Sequence, residues 1–134
     1  QVRAEASGVR ILFRHLKDGG MLGILPDQQP KRGDGEFAPF FGIPALTMSL
    51  LPRLAHKTGA TVLMAFAERL PGAEGFRIRL LPAPAAIGDA DTARAAAALN
   101  GAVEACIALA PAQYQWSYKR FTIRPEGEEP IRYD

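Results

Sequence analysis

Few side chains in this sequence could do chemistry, and the most suggestive lie in "GILPDQQPKRGDGEFAPFFG" (Gly23–Gly42). Asp27 and Gln28 follow a short apolar run that ends at Pro26. A carboxylate at the end of a buried parallel strand stands where open α/β sheets collect ligands. It could orient a base, position a basic side chain or hydrogen-bond a sugar hydroxyl. Pro-Asp is also ordinary turn chemistry, so residue type leaves Asp27 open between site and turn. Arg3 precedes a predicted helix start and Arg69 follows a predicted strand. Both are candidate anion contacts, and both also fit a solvated arginine. Phe37, Phe40 and Phe41 either fold their loop back onto the core or offer apolar surface to an acyl chain or a membrane.

The other reactive residue types make no catalytic set. His15 and His56 sit on predicted helices among charged neighbours, the pattern of surface or boundary residues. Ser7, Ser49 and Ser117 lack a Gly-x-Ser-x-Gly setting. Cys106 falls on the apolar stripe of its helix and reads as a small core residue. As the single cysteine it can form no intrachain disulfide, which fits a reducing compartment. There is no Gly-x-Gly-x-x-Gly, no phosphate-binding loop and no zinc-type spacing, so neither cofactor nor metal is expected.

These residues need elements to hold them. With 48% apolar and 22% charged residues over 134 positions, the chain has the composition of a folded domain or part of one. Its formal net charge of +2 is too small to argue for nucleic acid. The basic excess is concentrated in residues 1–32, around Asp27, which suits an anionic substrate or a membrane surface as well as a solvated helix face. No apolar run approaches the length of a membrane span. The chain begins at Gln1 within what reads as a loop, the pattern expected of a piece of a longer protein.

Ser7 is the expected N-cap of a helix reaching about Lys17, with Val9, Leu12, Phe13 and Leu16 on one face and Gly19-Gly20 as its stop. Met21–Leu25 reads as a buried, parallel strand, followed by a long loop from Pro26 to Ala45. A helix is expected over about Thr47–Lys57, capped by Gly59, and a central strand over Ala60–Ala67. "LPGAEG" then makes a hairpin-like turn into Phe76–Leu81, where Phe76, Ile78 and Leu80 alternate with Arg77 and Arg79 as in an antiparallel strand with one wet face. Asp89 or Asp91 caps an alanine-rich helix to about Ala110, with Leu99, Val103, Cys106, Ile107 and Ala110 inward. The order predicts an α/β fold, a layered sheet with flanking helices whose N-terminal strands are missing.

Three stretches carry a resemblance. "GILPDQQPKRGDGEFAPFFGIPALT", "LAHKTGATVLMAFAERL" and the closing "LNGAVEACIALAPAQYQWSYKRFTIRPEG" resemble, in collinear order, the bacterial lipid A biosynthesis acyltransferases. The resemblance implies a fold like that of the glycerolipid acyltransferases and an enzyme of the cytoplasmic face of the inner membrane. It implies transfer of a fatty acyl group from acyl carrier protein, or acyl-CoA, to a hydroxyl of a lipid A precursor. The base of related enzymes is the His of a His-x4-Asp motif. Here the positions five after His15 and His56 are Gly20 and Thr61, so neither histidine matches. The motif is expected upstream of Gln1, leaving residues 1–134 as the C-terminal portion of one acyltransferase domain, inactive alone. By the same resemblance Arg3 and Arg69 fall at phosphate-contacting positions, and Asp27 and Gln28 at the acceptor site. A rival reading is a non-enzymatic α/β module that binds an anionic lipid or nucleotide through the same basic rim.

Overall fold

The computed structural model describes residues 6–133, with side chains from residue 8 onward. It is an α/β arrangement of three helices and two small antiparallel sheets. In chain order these are α1 (Ala6–Lys17), β1 (Gly35–Phe40), β2 (Ile43–Met48), α2 (Leu50–Thr58), β3 (Leu63–Arg69), β4 (Phe76–Pro82) and α3 (Thr92–Leu109). Each sheet is a single hairpin, β1 with β2 and β3 with β4. The expected layered sheet is thus reduced, among the described residues, to two separate ribbons.

Helix α3 organises the core. Alanine carries the highest helix propensity, and Asp91 caps the first turn by accepting from the backbone N–H groups of Ala93 (2.9 Å) and Arg94 (3.2 Å). Such a cap is worth about 1 kcal/mol. The buried residues Ala95, Leu99, Ala102, Val103 and Ile107 recur at helical spacing, and their partners include Phe40, Ala45, Met64 and Ile87. Burying each large aliphatic side chain contributes roughly 1.5–3 kcal/mol. Small alanines on the same face let α3 lie close across β1. Cys106 and Ala110, expected in the buried stripe, are only half-buried at its edge.

The predicted Pro26–Ala45 loop holds a hairpin. Phe41 (φ 48°) and Gly42 (φ 77°) are its two central turn residues, and two consecutive positive φ values are the mark of the type I′ turn that matches strand twist. Phe41 is unusual there, and its backbone N–H is held by the Glu104 carboxylate at 2.7 Å. Pro39 pairs with Pro44 one step from that turn. This is a non-hydrogen-bonded pair, so the missing N–H groups remove nothing from the ladder. Gly35 is required at the far end, since a Cβ there would stand 2.3 Å from the Thr47 carbonyl oxygen.

Four further expectations change. Met21–Leu25 is extended but not a strand: no backbone–backbone hydrogen bond joins it to another described segment, and Met21 is 89% exposed. Helix α1 starts at Ala6, so Ser7 lies inside its first turn rather than ahead of it. Helix α2 begins at Leu50, after β2 has absorbed Thr47 and Met48, and Pro52 sits buried in its first turn. Gly59 closes α2 in the left-handed conformation, as expected. On β4 it is Phe76, Ile78 and Leu80 that face outward, each more than 60% exposed. Glu68 draws Arg79 (2.8 Å) and Arg77 (3.7 Å) to the other face, where Met64 and Leu81 meet the core.

Candidate functional site

Residues 22–27 run beside β3 in the same direction. Leu22 and Ile24 share a hollow with residues 61–63, and Ile24 to Asp27 share a larger one with Met64 to Ala67. The larger is a cleft of about 260 Å³, walled by β3 on one side and on another by Val103, Cys106 and Ile107 of α3 with Ala110 just past its end. Asp27, Gln113 and Tyr114 are the polar side chains along an otherwise apolar lining. Asp27 occupies a turn after Pro26 and lines this cleft, so the two readings of the residue are compatible.

The C-terminal tail builds much of the surroundings. Tyr114 follows the short turn Pro111–Gln113 that ends α3. Trp116 meets the Tyr114 ring edge-on at 5.0 Å and donates its indole N–H to the Pro111 carbonyl at 2.7 Å. The phenol oxygen of Tyr114 is buried and makes no well-formed hydrogen bond, with the Asp27 carboxylate its nearby acceptor. Burial first, then the neighbouring Asp27 carboxylate, pushes its pKa up, so the hydroxyl stays protonated as a donor.

Arg120 is 3% exposed and forms no ion pair among the described residues. Its guanidinium lies 5.6 Å from the centroid of the Phe40 ring and donates to the Leu46 carbonyl and to the Thr47 hydroxyl (3.2 Å), while Nε has no partner. Burial lowers its pKa, opposed by Tyr118, Tyr114, Asp27 and Tyr133. The charge therefore sits in the low-dielectric interior between the first hairpin and the Asp27 loop.

Gln29, rather than Gln28, fastens that loop. Its backbone N–H donates to the Tyr118 hydroxyl (2.9 Å), its side-chain Nε2 donates to Thr122 Oγ1 (2.7 Å), and its side-chain Oε1 accepts from the Ile123 N–H (3.0 Å). Gln28 is exposed. Arg69 borders the cleft through Gln113, whose side-chain amide accepts from the Arg69 N–H (2.7 Å) and donates to its carbonyl (3.0 Å). The Arg69 guanidinium lies over the exposed Phe76 ring, 5.9 Å from its centroid.

Phe40 is buried in the core, whereas Phe37 (37%) and Phe41 (45%) are exposed. None of the three lines the cleft. Phe41 instead packs against Trp116, with ring centroids 5.6 Å apart. Arg3 lies outside the described residues. His15 Nε2 lies 3.2 Å from the Met21 carbonyl and His56 Nδ1 2.9 Å from the Gly88 carbonyl; neither histidine lines the cleft. Burial pushes the Cys106 thiol pKa up, leaving it neutral in the cleft wall. No group of three or more metal-ligating side chains exists among the described residues. The arrangement can hold an apolar chain beside a polar group that meets one carboxylate and one phenol.

The model of the family described as "Bacterial lipid A biosynthesis acyltransferase" matches residues 1–122, which takes in the Asp27 loop, the cleft walls, Tyr114 and Arg120. The chain belongs to this family. It is 34% identical to the lipid A biosynthesis lauroyltransferase of Escherichia coli over 125 residues, covering 91% of this chain and 40% of that protein. Against the lipid A biosynthesis palmitoleoyltransferase of the same organism it is 33% identical over 126 residues, covering 93% and 41%. A lipid A biosynthesis acyltransferase of Haemophilus influenzae is 27% identical over 129 residues, covering 96% and 40%. The chain thus spans about two-fifths of the length of the relatives it matches.

For this acyltransferase family member, Tyr114, Tyr118 and Arg120 are the site-bordering residues that sequence reasoning did not assign. Their signal was the aromatic and basic tail "QYQWSYKRF", which stands apart in sequence from Asp27 and comes together with it only in the fold.

Proposed function

We propose that this chain forms the acceptor-binding part of an acyltransferase domain of lipid A biosynthesis. The acceptor is a lipid A precursor and the donor an acyl thioester on acyl carrier protein or coenzyme A. The observation that carries the reading is the placement of Asp27, within the family match, at the polar edge of an apolar cleft. A carboxylate suits sugar hydroxyls, and aliphatic walls suit an acyl chain. Arg69, beside the cleft, and Arg3 supply positive charge for the phosphates of the acceptor. Gln28 is exposed next to Asp27 and free to meet the same headgroup. Phe37 and Phe41 provide apolar contact to chains or to the membrane surface, and Phe40 supports Phe41 from the core.

In such a transfer a general base takes the proton of the acceptor hydroxyl as its oxygen attacks the thioester carbonyl. The thiol then leaves with the electron pair of the C–S bond. Neither histidine of the chain is at the cleft, so we assign the base to a His-x4-Asp motif outside these residues, in a domain of the glycerolipid acyltransferase type. No described helix is long and apolar enough to cross a membrane. Work at the cytoplasmic face of the inner membrane accordingly rests on surface contact or on segments beyond this chain.

The test compares the full-length protein with residues 1–134 in an assay of acyl transfer from acyl carrier protein to a lipid A precursor. The full-length protein should transfer and the shorter chain should not. A full-length protein that binds the precursor without transferring would support the non-enzymatic anionic-lipid module instead.

A further inference from the structure

We infer that Tyr114 is a positioning residue for Asp27, its phenol holding the carboxylate in the orientation that meets the acceptor. The inference rests on the acceptor-site reading of Asp27 given above. Both residues line the same cleft, and the ring of Tyr114 is fixed from two sides: the turn Pro111–Gln113 precedes it, and Trp116 packs edge-on against it. A ring packed in an apolar wall needs no hydroxyl, and a phenylalanine would fill the same volume. The hydroxyl is nonetheless buried without a well-formed hydrogen bond, and the Asp27 carboxylate is the acceptor near enough to act on it. The neighbouring carboxylate is an acceptor and the protonated phenol a donor, so a small rotation of Asp27 joins them.

The terminal nitrogens of Arg120 and the Tyr118 hydroxyl are committed elsewhere, and Arg120 does not line the cleft. Arg120 donates to Leu46 and Thr47, and the Tyr118 hydroxyl accepts from Gln29. The Gln29 contact fixes where the loop lies, and Tyr114, which lines the cleft with Asp27, sets how the Asp27 side chain points. A carboxylate without that bond still binds the acceptor but spends less time aligned, so the loss falls on kcat more than on KM.

The experiment is a double-mutant cycle in the full-length protein, with wild type, Tyr114→Phe, Asp27→Asn and the double variant in steady-state acyl transfer. Thermal midpoints serve as the folding control. A hydrogen bond to a charged group predicts that Tyr114→Phe lowers kcat by about tenfold or more, with KM within roughly twofold. In the Asp27→Asn background the same substitution should cause little further loss. Undiminished kcat in Tyr114→Phe, or an equal loss in both backgrounds, overturns the inference. If Asp27→Asn itself turns over like wild type, the acceptor-site reading fails and this role with it. A slow Asp27→Asn beside a normal Tyr114→Phe removes only the role of Tyr114.

Discussion

Replacing Asn100 with alanine should destabilise this chain more than any surface substitution. Asn100 is 1% exposed, and its amide donates to the Pro39 carbonyl (2.9 Å), the Ala38 carbonyl (3.3 Å) and the Thr47 hydroxyl (2.8 Å). Thr47 keeps the Ala45 carbonyl and Arg120 as partners after the change, and Ala38 keeps its place in the β1–β2 ladder. Pro39 does not: its carbonyl points away from the ladder and would lose its donor at a part-buried position. Loss of these three contacts costs about 1–3 kcal/mol, and the vacated amide volume adds a cavity contribution, for roughly 2–4 kcal/mol in all. Urea unfolding reads this as a lower midpoint at unchanged slope, by about 1–2 M for a slope near 2 kcal/mol/M. Asn100→Asp should be worse near neutral pH, because a carboxylate cannot donate to those carbonyls. Its deficit should narrow in acid as the buried carboxyl protonates. A loss below about 0.5 kcal/mol for Asn100→Ala would refute the claim that this amide joins α3 to the first hairpin.

Two more outcomes follow from single positions. Gly35→Ala forces a Cβ against the Thr47 carbonyl and should cost about 1–3 kcal/mol in the same unfolding assay, whereas a neutral result would mean that β1 can shift. The Cys106 thiol, raised in pKa by burial, should react with iodoacetamide more slowly than free cysteine at neutral pH. The unfolded chain loses that proton first as pH rises, so the contribution of Cys106 to stability declines once the pH passes the ordinary thiol range. Labelling as fast as free cysteine would contradict its placement in the cleft wall.

The sequence signals that proved legible were local. The Asp91 cap, the helical spacing of Leu99, Val103 and Ile107, and Gly59 after α2 each rest on a few neighbouring residues, and each has its expected counterpart. The hairpin β1–β2 was hidden because Pro39 and Pro44 argue against strands in isolation. Only their pairing with each other, on the side of the ribbon that needs no N–H, makes them harmless. Met21–Leu25 failed as a strand for a complementary reason. An apolar run states that a segment can pair, and pairing depends on what stands beside it. At the candidate site Asp27 was visible as a carboxylate after an apolar run. Its surroundings were not, because Tyr114 and Arg120 reach it through long-range folding of the tail.

The most direct test of the account is the acyl-transfer rate of the full-length protein carrying Asp27→Ala, measured beside its thermal midpoint. Asp27 is a half-buried turn residue at the edge of the cleft, so the midpoint should stay close to that of wild type. Loss of an acceptor-site carboxylate should lower turnover by about a hundredfold or more. Turnover at the wild-type rate in a folded protein would contradict the account, leaving Asp27 as turn chemistry and the cleft without an assigned function.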